Sequence, residues 1–189
     1  MVKVEAVRIG DSPAAALFTL IVGPSKEAKS VGLAKKEIAE RYGIRKRWWT
    51  TLIDRSTRVS KQHAHLTPGE SSYMGTSSGV RGLYLNYVVG MSDCAVELYI
   101  DRGKDSEAEN KSIFDQLCAA RDSIEKAFDG PLEWQRLEGK RACRIRYLMN
   151  GGGYRSPDEK WPEIQDAIID AMRRLEQALQ PQLLKLKTS

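Results

Sequence analysis

AVELYIDRG (95–103), NKSIFDQLCAARDSIEKAF (110–128) and GPLEWQRLEGKRACRIRY (130–147) are the stretches that decide the fold. In the first, Val96, Leu98 and Ile100 fall on one face of a strand, and Glu97, Tyr99 and Asp101 on the other. In the second, Ile113, Leu117, Ala120, Ile124 and Phe128 recur at helical spacing and predict one helix with an apolar stripe. Asp129-Gly130-Pro131 stops it. The third predicts two strands, Leu132 to Leu137 and Arg141 to Leu148, joined by a hairpin turn at Glu138-Gly139-Lys140.

Upstream, Val2 to Ile9 and Leu17 to Val22 read as strands around the turn residues Gly10-Asp11-Ser12-Pro13. Ser25 is a candidate cap for a helical region that runs to about Ser56, with Gly43 as a kink or a division. Trp48, Trp49, Leu52 and Ile53 give its second half an apolar face, on which one of the two adjacent tryptophans is placed to be partly exposed. A polar loop over 61–82 includes a short strand near Tyr73-Met74, and strands follow over 80–89 and 94–101. Downstream, Gly151-Gly152-Gly153 reads as a flexible connector or, in the minor reading, an anion site at the next helix. Ser156, Pro157 and Glu159 predict a capping box. Trp161, Ile164, Ile168, Met172, Leu175 and Leu179 form a long stripe that serves the core or a dimer, and Pro181 ends or kinks the helix. The expected architecture is α+β: an antiparallel sheet with helices packed on one face. Residues 1–24 are expected to be a strand pair or linker, and 25–189 the α+β domain.

The chain has 189 residues and no apolar run near transmembrane length, and its start has no signal-peptide core, so a cytoplasmic protein is expected. Cys94, Cys118 and Cys143 are too few and too far apart for a disulfide framework or a zinc site, and read as buried free thiols. The net charge of +5 is uneven: residues 41–61 carry +6, 62–138 carry −6 and 139–189 carry +4. Such polarity fits an anionic partner, or basic ends that pair with the acidic middle.

No phosphate-binding or dinucleotide glycine motif is present, and no cofactor is implied. His63 and His65 have no third ligand nearby apart from Glu70 and read as loop residues, so no metal site is assigned. The basic residues are the better lead. Arg45, Lys46, Arg47, Arg55 and Arg58 form one candidate nucleic-acid-binding cluster, and Lys140, Arg141, Arg144 and Arg146 a second, with Arg144 and Arg146 on one strand face. A rival reading is a metal-dependent nuclease built on Glu97, Asp101, Glu138 and Lys140, in which Glu97 and Asp101 share a strand face and a cation.

VELYI, NKSIFDQL, LEWQRL, KRACRI and WPEI together resemble the domain of unknown function 4268 family of bacteria and archaea, over roughly Leu33 to Leu184. These motifs are structural signatures, and the resemblance supplies no catalytic residues. It implies a nuclease-associated accessory domain, because members often follow a restriction-endonuclease-like domain, and the opening VEAVRIGDSPAAALFTLIV is similar to the joining segment. The chain is then the C-terminal piece of a larger protein or a stand-alone relative. Expected partners are DNA or RNA, an upstream or separate nuclease domain, or a second copy of the chain, and no membrane.

Overall fold

A computed structural model describes residues 2–20 and 26–188. The chain divides into two compact units, Met1–Glu40 and Arg41–Ser189. In the first, β1 (Val2–Val7) and β2 (Ala15–Leu20) form an antiparallel hairpin in which Val4 lies opposite Phe18. Gly10, at φ 58°, takes the left-handed conformation its turn requires. α1 (Lys26–Ser56) begins in this unit, ends in the second and runs through Gly43 without a break. Ile21, Val22 and the Ser25 cap lie outside the described residues.

The second unit holds β3 (Tyr73–Ser77), β4 (Leu83–Val89), β5 (Asp93–Ile100), β6 (Glu133–Gln135) and β7 (Cys143–Asn150). They form one antiparallel sheet in the order β3-β4-β5-β7-β6. The helices are α2 (Glu107–Cys118), α3 (Arg121–Phe128) and α4 (Trp161–Thr188). Leu85, Tyr87, Val96, Leu98, Cys143 and Ile145 turn one sheet face inward. Against it are buried Leu117, Phe128, Ile168, Met172, Leu175 and Leu179 from the helices, together with Trp48 and Leu52 of α1. Each such side chain contributes about 1.5–3 kcal/mol by leaving water. This is the expected α+β arrangement.

Several local expectations are corrected. The helix read over 113–128 is two helices, because the chain tightens at Ala119-Ala120, where the Ala120 N–H donates to the Leu117 carbonyl at 3.0 Å. Asp129, left-handed at φ 63°, ends the second. The capping box does not form: a 3₁₀ turn over Asp158–Lys160 precedes α4, and the Ser156 hydroxyl accepts instead from the Gly153 N–H at 3.0 Å. α4 continues through Pro181, which lacks an N–H but is exposed, so water can serve the freed carbonyl. Trp48 and Trp49 are both fully buried, and the Trp49 indole donates to the Ser71 carbonyl at 2.8 Å. The α4 stripe is buried in the unit's own core.

The glycine loop is a packed joint, where a flexible connector was expected. Tyr154 and Arg155 donate their N–H groups to the Gly90 and Met91 carbonyls, each at 3.0 Å. All three cysteines are free; Cys94 and Cys143 are buried and Cys118 is half-buried. Among the described residues no helix is long and apolar enough to cross a membrane.

Candidate nucleic-acid interface

The alternation that sends Val96, Leu98 and Ile100 to the core sends Glu97 and Tyr99 to the opposite sheet face. Strand register aligns two rows there. Tyr84, Tyr99, Arg144 and Gln135 form one; Asn86, Glu97, Arg146 and Glu133 form the other. Tyr73 joins the same face opposite Val88. Tyr73 and Tyr84 are 59% and 43% exposed, and Tyr99 is half-buried.

The polar side chains beside the tyrosines brace one another. Asn86 Nδ2 donates to Glu97 Oε1 at 3.1 Å, and Arg144 Nε to Gln135 Oε1 at 2.6 Å. Glu133 Oε2 accepts from Arg146 Nε at 2.7 Å and from Gln135 Nε2 at 2.8 Å. Glu97 is buried; its Oε2 accepts no hydrogen bond and stands 3.7 Å from Arg144 Nη1. These contacts orient the Arg144 and Arg146 side chains on β7, the strand next to the one that carries Tyr99.

The connection from β6 to β7 is longer than the tight turn expected, since the paired residues stop at Gln135 and resume at Arg144. Leu137 (φ 54°) and Gly139 (φ 72°) turn it in the left-handed region. α2 holds it in place. The Lys111 ammonium, buried, donates to the carbonyls of Arg136, Leu137 (3.0 Å) and Lys140 (2.8 Å). Asn110, also buried, donates to the Arg141 carbonyl at 3.2 Å. The side chains of Lys140 and Arg141 therefore project from a braced loop. Arg141 grips Asp101 with Nε and Nη2, each at 2.7 Å, and that guanidinium holds the Asp101 carboxyl below the usual carboxylate range. Burial, with Asp101 and Glu97 nearby, raises the Tyr99 phenol above its ordinary value.

The first basic cluster lies elsewhere, on the helical side of the sheet. Arg45 stacks over Tyr154 at 5.0 Å, and Arg47 over Trp161 at 5.4 Å while it pairs with Asp158 at 3.0 Å. Arg55 Nε donates to Asp166 at 2.9 Å, and Arg58 pairs with Asp54 at 2.8 Å. Lys46 lines a groove with Arg47, Arg55 and Trp161. The sheet thus separates the two clusters, and six of the nine basic residues singled out in the sequence face a carboxylate within 4 Å.

The carboxylates of the nuclease reading do not converge. Glu97 and Asp101 share a face but are four residues apart, about 13 Å along an extended chain, so they cannot share one cation. Glu138 sits in the loop and accepts from Arg136 Nη1 at 2.8 Å. His63 and His65 diverge: His63 is buried against Tyr87, with ring centroids 4.7 Å apart, and His65 faces Thr76. Among the described residues no group of three or more His, Cys, Asp or Glu side chains is arranged to hold a metal ion.

The tyrosine rows are what sequence reading missed. The alternation in LYLNYVV (83–89) places Tyr84 opposite the core-facing Leu83 and Leu85, and was the available signal. Lys111 and Asn110 left no signal, since a polar pair on an amphipathic helix reads as solvated.

The chain belongs to the family described as Domain of unknown function (DUF4268), which matches residues 44–183, all within the second unit. Neither the curated proteins nor the solved structures give a match to the chain.

Proposed function

We propose that the second unit is a recognition module that binds single-stranded nucleic acid on the sheet face carrying Tyr73, Tyr84 and Tyr99. The observation that carries this reading is the juxtaposition of three tyrosines with Arg144 and Arg146 on one face. Exposed rings on a flat strand surface accept stacked bases, each worth about 1–3 kcal/mol, and adjacent guanidinium groups meet the phosphates. Lys140 and Arg141 extend the basic edge of the same surface. The α1 cluster is left out of the proposed contact surface, because Arg45 and Arg47 lie over Tyr154 and Trp161 on the helical side of the sheet, away from the tyrosine face. The family resemblance would place such a module beside a nuclease-type catalytic domain, to which it presents the strand.

Fluorescence anisotropy with labelled single- and double-stranded oligonucleotides across a salt series tests this. Single strands are expected to bind more tightly than duplexes, and Tyr84→Ala to weaken the single-strand complex about tenfold. Absence of binding below about 100 μM at low salt overturns the reading, because even non-specific binders reach ~10⁻⁴ M at physiological salt.

A further inference from the structure

At the end of the tyrosine row a cavity of about 350 Å³ opens between Tyr99, Asp101, Leu137, Lys140, Arg141 and Arg144. Three features set it apart from an ordinary gap between surface side chains. Its floor is rigid: Lys111 and Asn110, both buried, fix the backbone from Arg136 to Arg141 through four hydrogen bonds. Its cations are fixed too. Arg141 is clamped on Asp101 through two contacts of 2.7 Å, and Arg144 is oriented by Gln135 at 2.6 Å. Finally, its charge is unbalanced: Lys140, Arg141 and Arg144 against Asp101 leave a net +2 among the lining residues. Glu97 stands behind Arg144 at 3.7 Å and is not part of the lining.

A phosphodiester inside a strand carries one negative charge. A terminal phosphomonoester carries about −1.5 to −2 at pH 7 and presents three strong acceptor oxygens. The second matches the net charge of the lining, and the Lys140 ammonium with the guanidinium N–H groups that Asp101 and Gln135 leave unused suits its oxygens. The position fits as well, since Tyr99 forms one wall of the cavity and is the ring on which a terminal base would stack under the function proposed above. We infer that this cavity is a phosphomonoester site which recognises the phosphorylated end of a single strand. The inference rests on the nucleic-acid reading for its ligand, and on the cavity alone for its chemistry.

The test compares one oligonucleotide sequence in three forms: 5′-phosphorylated, 3′-phosphorylated and without a terminal phosphate. One phosphorylated form is expected to bind the full chain at least about tenfold tighter than the unphosphorylated strand, which equals about 1.4 kcal/mol, and the form preferred gives the polarity of the bound strand. Lys140→Ala, at an exposed side chain, is expected to abolish that preference, and Lys126→Ala, on the exposed side of α3, to retain it. Equal affinity for all three forms overturns the phosphomonoester site while the nucleic-acid reading stands. If no strand binds, the nucleic-acid reading falls. In that event adenosine monophosphate is titrated alone: a rise in Tm that Lys140→Ala removes upholds the cavity's chemistry, and no shift in Tm overturns it.

Discussion

His63 Nδ1 stands 3.8 Å from Glu176 Oε1 inside the second unit, where burial disfavours the charged form of each side chain. His63 Nε2 lies 3.4 Å from the Leu85 carbonyl, so that nitrogen carries the proton and Nδ1 turns a lone pair toward Glu176. Burial lowers His63 to about 4 and raises Glu176 to about 7. Tyr87, whose ring is tilted 56° against that of His63, is raised by the same burial and stays neutral. At that separation no hydrogen bond joins the two, and Glu176 Oε1 accepts none.

The two shifts act in opposite directions on stability. His63, lowered from 6.5, favours the fold above pH 6.5, and that contribution is lost as pH falls toward 4. Glu176, raised from 4.5, favours the fold below pH 4.5, and that contribution is lost as pH rises through 7. Glu176→Gln keeps the size of the side chain and removes the charge. It is expected to raise stability at pH 8 by on the order of 2–3 kcal/mol and to change it little at pH 4.5. Thermal unfolding at the two pH values checks this; equal shifts at both would show that the Glu176 charge is not the cause.

Lys111 satisfies three carbonyls of the β6–β7 connection with one buried ammonium. Lys111→Met keeps the length of the side chain and strands those acceptors. Each hydrogen bond to a charged group is worth about 1.5–3 kcal/mol, so a loss of at least about 3 kcal/mol is expected in urea denaturation. The loop amides over 136–141 should also exchange faster with solvent. A loss within about 0.5 kcal/mol, as for an ordinary surface change, would show that the loop stands without Lys111.

Gly153 lies against the β4–β5 turn. A Cβ there would stand 2.5 Å from the Gly90 carbonyl oxygen, 2.7 Å from the Met91 carbonyl carbon and 2.8 Å from the Asp93 nitrogen. All three are backbone atoms, so no side-chain rotation relieves the clash. Gly153→Ala is expected to cost about 3 kcal/mol or more, read as a lowered denaturation midpoint. At Gly139, whose φ is 72° but where a Cβ would meet nothing within 4 Å, Ala is expected to cost about 1 kcal/mol. Equal losses at the two sites would remove the packing argument.

How far the sequence discloses this protein follows from which of its signals are local. The β5 alternation and the α4 stripe survive folding because each faces one core, and burial fixes their register. The break at Ala119-Ala120 was hidden because apolar residues keep their helical spacing across it. Ser156 looked like a cap because its sequence neighbours suit one, yet Gly153 is the partner its hydroxyl takes. The basic clusters were legible as composition but not as surfaces. Arg141 meets Asp101 forty positions away, and Arg55 meets Asp166 at a separation of 111, pairings that only the fold creates. The tyrosine face needed three strands in register, which no single segment carries.

The proposed interface separates into stacking and charge, and the two respond differently to salt. Tyr84 is exposed and makes no hydrogen bond that the core depends on, so Tyr84→Ala should leave the fold intact and cost about 1–3 kcal/mol of single-strand affinity. The slope of log affinity against log salt should not change, because no phosphate contact is lost. Arg146→Gln removes a cation beside the ring row while its neighbour Glu133 keeps Gln135 as a donor. It should lower affinity and reduce that slope by about 1. Anisotropy titrations at four salt concentrations distinguish the two effects. If both variants flatten the slope equally, the tyrosine is acting through the charge of its neighbours; if neither changes affinity, the strand lies on another surface.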